Sequence, residues 1–387
     1  MNKIDRTAVA LVFLIVALTS RAHAIGNIRM GQMEIHPYVA LQEEFSNNIY
    51  TTATDQKRDS VTIITPGVRL QLPMRMHRFE AGYYAVDRRY DTYRGDNTTD
   101  HYANGLLDLK FGSFFGLTLS DVYAKSHEPR SWSATGFIEP FRTNAASASA
   151  TYQLAGRSKV QVDYTATSWN FMSSDFRDRD EELLSGYIYY RFLPKTSSFM
   201  EYDRKMVDFT PATTTLDNAM DTISLGVTWD VTGRSKGTIK AGRTAKDFED
   251  PAEKDFTVWT WSFNVNHNFS ELTSINIVGL RNVNETNFSG TSYFITTGAS
   301  ADLTHKFASK MAFVVRGSYG RDLYSNAVPP STTVREDTTS MAGAGLKYFM
   351  KDWLEFSADY RKRNRDSNID ANDYKETQYL LSMNLAF

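Results

Sequence analysis

The stretch TQYLLSMNLAF, residues 377–387, decides the fold. Every second residue of it is apolar, and the residues between are mostly small or polar; the apolar set is Tyr379, Leu381, Met383, Leu385 and Phe387. Such alternation is typical of a β-strand with one apolar face. A membrane helix needs about 20 apolar residues, so this segment predicts a membrane-facing strand.

The same alternation runs through the rest of the chain. In TISLGVTWDV, residues 222–231, the apolar positions are Ile223, Leu225, Val227, Trp229 and Val231. An Arg or Lys that faces lipid at mid-depth costs about 2–4 kcal/mol. We therefore expect the apolar face of each strand to face lipid and the polar face to line a water-filled lumen.

The connections between the strands alternate in length. Eight short turns and nine longer polar loops are strictly interleaved along the sequence. Outer-membrane barrels have short periplasmic turns, long external loops and an even number of strands. The pattern predicts an all-β fold, a transmembrane up-and-down antiparallel β-barrel of about 18 strands, with 16 as the alternative count and both termini periplasmic.

A soluble β-sandwich is the alternative, because its strands also alternate polar and apolar residues. The even strand count and the aromatic residues near strand ends argue against it. Aromatic girdles mark the two membrane–water interfaces of barrels, and the candidates here are Tyr83, Tyr123, Tyr164, Trp229, Trp261, Tyr293, Tyr360 and Phe387.

The composition excludes several classes of function. The chain has 43 basic and 45 acidic residues, which give no electrostatic footprint for nucleic acid, and it has no cysteine. Disulfides, thiolate metal sites and cysteine catalysis are thereby excluded. Aromatic residues make up 13% of a chain whose mean hydropathy is −0.42, as expected if only one face of each strand is apolar. No cofactor and no nucleic-acid partner are expected.

The first 24 residues have the pattern of a secretory signal peptide. Lys3 and Arg6 precede an apolar run over residues 8–18, and Ala22 and Ala24 form a small-x-small cleavage site. An N-terminal anchor is the alternative, but it needs about 20 apolar residues. We expect residues 1–24 to be removed and residues 25–387 to form the barrel domain in the cell outer membrane.

The alternation also predicts which side chains line the lumen. The inward set comprises Glu80, Tyr84, Arg88, Asp163, Tyr189, Arg191, Glu201, Asp203, Arg316, Asp359, Arg361 and Arg363. One interpretation is that a wet lumen is simply lined with polar groups. The other is that acidic and basic sets create a transverse field that filters solutes by size and charge.

No catalytic motif stands out. The histidines beyond the signal peptide form neither an H-x-x-x-H pair nor an H-E-x-x-H zinc motif, and no G-x-S-x-G nucleophile elbow or phosphate loop occurs. A histidine–serine site of the outer-membrane phospholipase kind would need a geometry that the sequence does not reveal. We therefore predict no catalytic, cofactor-binding or metal-binding residues and no enzymatic activity.

Two short motifs lie near the start of the barrel: FSNNIY, residues 45–50, and TPGV, residues 65–68. They resemble motifs of the putative β-barrel porin 2 family. Asn47 departs from the family pattern, which commonly has an acidic residue there. The resemblance implies a porin-like channel of the kind often associated with exopolysaccharide or capsule gene clusters.

From this resemblance we expect a role in polysaccharide secretion across the outer membrane, with polysaccharide and periplasmic export components as partners. A general diffusion porin for small solutes is the alternative. A barrel enzyme that acts on lipid or polysaccharide is a third and weaker one.

The terminal strand also resembles the signal by which the outer-membrane assembly machinery recognises its substrates. Tyr379, Leu381, Met383, Leu385 and Phe387 would form that signal. The predicted partners are therefore this machinery and the outer-membrane bilayer.

Deletion of Phe387, or its replacement by Asp, should sharply lower the amount of protein in the outer membrane and raise its degradation in the periplasm. The reason is that the last lipid-facing position of the signal would be lost or charged. Membrane fractionation and heat-modifiable gel mobility measure the effect; unchanged values for both would refute the signal.

Overall fold

The computed structural model describes residues 28–128, 130, 138–210, 216–231, 233–286, 290–327 and 332–386. They are almost entirely β-sheet. The strands are β1 (Ile28–Met30), β2 (Met33–Ser46), β3 (Asp59–Met74), β4 (His77–Tyr90), β5 (Thr98–Phe111), β6 (Phe115–Glu128), β7 (Glu139–Ala155), β8 (Ser158–Phe171), β9 (Arg179–Leu193), β10 (Thr196–Phe209), β11 (Asn218–Val231), β12 (Ser235–Phe248), β13 (Phe256–Asn268), β14 (Thr273–Glu285), β15 (Tyr293–Ala308), β16 (Met311–Tyr324), β17 (Glu336–Lys351), β18 (Leu354–Ser367) and β19 (Tyr374–Ala386).

Short 3₁₀ turns occur at Arg94–Asp96, Asp175–Arg177 and Asp370–Asn372. Within the described residues, no helix is long and apolar enough to cross a membrane.

Strands β2 to β19 form one closed antiparallel ring. Each pairs with its neighbours in the chain, and β19 pairs with β2 from Gln378↔Ser46 to Ala386↔Tyr38. The three-residue β1 folds back on β2 at Met33–Ile35, beyond the end of the β19 pairing. The prediction of an 18-stranded up-and-down barrel is confirmed. Strand β1 is an additional short strand that the alternation of polar and apolar residues did not predict.

The connections divide the barrel into two different rims. One rim carries the short connections 75–76, 112–114, 156–157, 194–195, 232–234, 269–272, 309–310 and 352–353. The other carries the longer ones, such as 47–58, 91–97 and 325–335. The start of β2 and the end of β19 lie at the short-turn rim, which is periplasmic in outer-membrane barrels.

The two faces of the sheet differ in character. Large apolar side chains are exposed on the outer face, with Leu225 67% and Ile188 62% accessible, whereas Glu201 on the inner face is 2% accessible. Residues paired across antiparallel strands share a face, so the register extends this division around the whole ring. The described strands thus form a barrel whose outer face is apolar and whose inner face is polar.

Some charged residues lie on the outer face, which the simple alternation rule did not anticipate. Asp121 accepts a hydrogen bond from Nδ2 of Asn144 at 3.0 Å, and Asp221 accepts one from the Tyr202 hydroxyl at 2.6 Å. Both carboxylates follow apolar outward residues along their strands toward the long-loop rim. Each is thus held by a neighbouring donor at the outer surface rather than in the lumen.

The FSNNIY motif fastens the first loop to the last strand. The Asn48 side chain is fully buried, and its Nδ2 donates to the carbonyl oxygens of Thr52 at 2.9 Å and Lys375 at 3.0 Å. Oδ1 of Asn47 accepts from the Thr377 backbone N–H at 2.7 Å. These contacts continue the β2–β19 seam beyond the end of its strand ladder.

The TPGV motif lies on β3, where residues 65–68 pair with residues 37–40 of β2. A Cβ atom at Gly67 would overlap the ring of Tyr38, so only glycine lets this inward ring lie against β3. Pro66 has no N–H to donate, and the β3–β4 pairing skips from Ile64↔Asp87 to Gly67↔Tyr84.

The terminal strand is anchored near the short-turn rim. Leu354, Met383 and Leu385 form a buried apolar cluster, against which Leu41 and Trp353 pack. Closer to the other rim, Tyr379 and Leu381 are more than half exposed on the outer face. Phe387 and the predicted signal peptide, residues 1–24, lie outside the described residues, so both the assembly signal and the signal peptide stay predictions.

Replacement of Leu225 by Arg should lower the free energy of unfolding by about 2–4 kcal/mol, the cost of a lipid-facing cation near mid-depth. Urea unfolding in lipid vesicles measures it. Thr228→Arg is the control, because Thr228 faces the lumen, where water reaches the cation; equal destabilisation by both would show that the faces are assigned wrongly.

Candidate functional site

The twelve predicted lumen residues all lie on the inward face in the strand register. Several pair with other inward residues, for example Glu201 with Tyr187 and Asp203 with Ser185 between β9 and β10. Others connect through a shared neighbour, such as Arg316↔Gly343 and Gly343↔Arg361. The register therefore arranges most of them in two groups on opposite sides of the ring, whereas Glu80, Tyr84 and Arg88 lie on β4. Glu80 and Arg191 are close to the short-turn rim.

The first group is an acidic and aromatic wall on β8–β10. The rings of Tyr187 and Tyr189 stack at 5.9 Å between centroids, and Phe199 lies 5.3 Å from Tyr189. Nζ of Lys159 lies 4.1 Å from the centre of the Tyr189 ring. Flat rings beside polar groups offer a surface on which planar or sugar-like solutes stack.

Among the three predicted lumen carboxylates of this wall, only Glu201 has a cationic partner within the described residues. Glu201 is almost completely buried and accepts from Nζ of Lys240 at 2.6 and 2.7 Å. Asp163 accepts from Nε2 of Gln161 at 2.9 Å, and Asp203 has no ion pair among the described residues. Glu201 is therefore neutralised within the wall by Lys240, whereas Asp203 has no cationic partner among the described residues.

The second group is an arginine wall on β16–β19. Arg316 is paired with Asp359 and lies 3.4 Å from Asp302, and Arg363 lies 3.9 Å from Glu376. Arg361 is inward-facing between them and takes part in no ion pair within the described part of the chain. It is therefore the arginine of this wall with which no carboxylate of the described residues forms an ion pair.

Asp203 and Arg361, neither of which forms an ion pair among the described residues, lie on opposite sides of the lumen. Asp203 lies in the middle of the 14-residue strand β10, and Arg361 lies in the middle of the 14-residue strand β18. Those strands are eight positions apart in a ring of 18, close to diametrically opposite. An unpaired anion and an unpaired cation on opposite walls create a field across the channel.

A third inward cluster lies on β4 and β5. Tyr84 and Tyr102 stack at 4.6 Å between ring centroids. Asp100, which is almost fully buried, accepts from Arg88 and lies 2.8 Å from Nδ1 of His127. Arg88 thus belongs to a polar network with Asp100 and His127, and Tyr84 belongs to an aromatic stack with Tyr102.

The Asp100–His127 pair is the arrangement most similar to a catalytic one. No hydroxyl group is hydrogen-bonded to His127 in the part of the chain that the structure describes. The described residues also contain no group of His, Asp or Glu side chains that could hold a metal ion. The geometry of this pair provides no nucleophile.

The long-loop end of the β14–β15 hairpin leans into the lumen, which the sequence did not reveal. By parity Glu285 and Tyr293 belong on the outer face, yet both contact inner-face residues of β12 and β13. Glu285 accepts from Nζ of the fully buried Lys246 at 2.7 Å, and the Tyr293 ring stacks on Phe256 at 4.1 Å. This hairpin end narrows the mouth of the barrel.

Ordered loops surround another part of the mouth. The Tyr50 ring lies edge-on to Tyr93 at 5.2 Å and beneath the guanidinium of Arg130 at 4.4 Å. Arg130 is also paired with Asp96. Burial, together with a hydrogen bond to Asp96, raises the pKa of Tyr50 to about 12, so the phenol stays neutral at physiological pH.

The sequence matches the model of a protein family over residues 22–387; the family is described as putative beta-barrel porin 2. The chain belongs to this family. A comparison with curated protein sequences gives no match.

Solved barrels share the fold at low sequence identity. The outer membrane protein OpdK from Pseudomonas aeruginosa is 10% identical, with a TM-score of 0.51 over 91% of this chain and 99% of OpdK. A BenF-like porin from Pseudomonas fluorescens Pf-5 is 9% identical, with a TM-score of 0.51 and the same coverage of both chains. OpdK has also been solved with vanillate, at 10% identity and a TM-score of 0.50, over 91% of this chain and 99% of that one.

These findings establish a porin-like barrel of the outer membrane. The members of the family are described as porins, which are channels rather than enzymes. The finer questions are which solutes pass and which lumen residues select them.

Asp203→Asn should shift selectivity toward anions and Arg361→Gln toward cations, because each removes an unpaired charge from one wall. The expected change in the permeability ratio is about twofold, as for an exposed charge interaction of roughly 0.5 kcal/mol. Reversal potentials in planar bilayers under a salt gradient measure it. The outward Phe356→Leu should change neither; a shift of the same sign in both charge variants would contradict the two-wall arrangement.

Proposed function

We propose that the protein is a diffusion channel for small hydrophilic solutes in the outer membrane, in which opposed charges and stacked aromatic rings select among them. Barrels of 16–18 strands leave an aqueous channel. The observation that carries the proposal is the pair of opposite walls, with Asp203 and Arg361 unpaired and the Tyr187–Tyr189 stack beside Asp203.

The architecture supports passage through the lumen. Contacts between the described elements join neighbours around the ring. The inner face is polar along most strands, which keeps the lumen wet. The fold that the chain shares with OpdK and the BenF-like porin supports a diffusion channel better than a secretion channel.

Polysaccharide secretion, the function expected from the family resemblance, is the second candidate. The inward rings of Tyr187 and Tyr189 favour it, because sugar ring faces stack on aromatic side chains while their hydroxyls exchange hydrogen bonds with nearby polar groups. Tyr84 and Tyr102 provide a second stack on β4 and β5. A channel for small solutes uses the same rings equally well, so the rings do not separate the two functions.

Reconstitution into liposomes separates the two candidates. We expect single-channel conductance and swelling in isotonic solutions of monosaccharides and small carboxylates, and no block by long polysaccharide fragments. A deletion strain should take up such solutes more slowly and keep its surface polymer.

Absence of any conductance would refute the channel. Block by polysaccharide fragments, together with loss of surface polymer in the deletion strain, would favour secretion instead. Phe356→Leu serves as the control for both readouts, since its side chain faces outward.

A further inference from the structure

The hydrogen-bonded wall is interrupted at one place near the long-loop rim. β13 pairs with β12 as far as Phe256, and β14 pairs with β15 as far as Glu285. Between β13 and β14, however, the pairing ends at Trp261↔Arg281. Residues 256–260 and 282–285 therefore have no ladder partner across this seam.

The inward lean of the β14–β15 hairpin explains the interruption. Lys246 and Asn218 hold the Glu285 carboxylate, at 2.7 and 3.3 Å, on the inner side of the wall. Ser292 adds a bond to the Glu253 carboxylate at 2.6 Å. The long-loop end of β14 thus bends inward with the hairpin, while β13 stays in the ring. A notch therefore opens on the outer face between residues 256–260 of β13 and 282–285 of β14.

The outer edges of the notch carry two arginines and a tryptophan. Trp259 is 64% exposed, and the Arg243 guanidinium lies 5.8 Å from its ring centre. Arg281 donates from Nε to the Trp259 carbonyl at 3.1 Å and from Nη1 to the Thr297 hydroxyl at 2.7 Å. The Arg281 side chain thereby satisfies the Trp259 carbonyl, which has no backbone partner on β14.

Within the part of the chain that the structure describes, no carboxylate neutralises either arginine. Arg243 and Arg281 take part in no ion pair among the described residues. Asp221, an outward carboxylate on the adjacent β11, is occupied by Arg204 at 3.2 Å and by the Tyr202 hydroxyl at 2.6 Å. The notch therefore presents two positive charges together with backbone groups of an open strand edge.

The notch lies where the apolar outer belt ends. On β12 the outward residues Ile239 and Ala241 precede Arg243, and on β14 the outward Ile277 and Gly279 precede Arg281. Trp prefers this interfacial level. Because the long-loop rim faces outward in such barrels, the head groups of the outer leaflet lie beside the notch.

We propose that the notch between β13 and β14 binds a phosphate head group of an anionic lipid in the outer leaflet. Guanidinium groups donate paired hydrogen bonds to phosphate oxygens. Strand edges at membrane level need polar partners that lipid tails do not supply, and a head group supplies them. The exposed Trp259 ring packs beside the first acyl carbons.

The test is lipid retention by the full-length barrel in nanodiscs, measured by native mass spectrometry. The probes are a bisphosphorylated lipid A, its dephosphorylated form and inorganic phosphate. We expect lipid A to bind, and Arg243→Gln with Arg281→Gln to weaken it by about tenfold or more, as for the loss of charged hydrogen bonds to phosphate. Heat-modifiable mobility checks that the double variant is folded.

The matched control is Arg321→Gln, an outward arginine near the same rim whose charge is already paired with Glu336 at 2.6 Å; it should leave binding unchanged. The exposed Arg243→Gln alone should weaken binding without affecting the fold. Equal retention of the dephosphorylated lipid would overturn the proposal. Competition by millimolar inorganic phosphate would assign the notch to free phosphate instead of lipid.

Discussion

Closure of the ring is the constraint on which the rest of the structure depends. A strand edge in hydrocarbon leaves backbone N–H and C=O groups without partners, so a sheet can cross a membrane only when its first and last strands pair. Here β19 closes on β2. The buried Asn48 and the apolar cluster around Leu354 lie at opposite ends of this seam and hold it together.

The faces of the strands could be predicted from the sequence because a wall between lipid and water imposes a period of two. Asp203 and Arg361 therefore lie inward, as the alternation indicates. Whether each has an ionic partner depends on strand register and on neighbours two strands away, as in the Glu201–Lys240 pair. No local pattern of residues encodes that information.

The β14–β15 hairpin shows where the alternation rule fails. Glu285 and Tyr293 have outward parity but contact the inner face, because the upper part of β14 leaves the ring. Odd or even position along a strand predicts which face a side chain is on only while the strand remains part of the barrel sheet. A buried cation such as Lys246 requires an anion, and the sequence contains no sign that the anion comes from a strand two positions away.

The meeting of the first and last barrel strands also governs how the chain is assembled. β2 emerges early and keeps its edge from Tyr38 to Ser46 unsatisfied until β19, the last strand of the barrel, arrives. The small β1 covers only the adjoining positions Met33–Ile35. An open edge of that length invites pairing with other chains. The risk of aggregation before β19 pairs with β2 is thus set by topology and is independent of what the finished pore conducts.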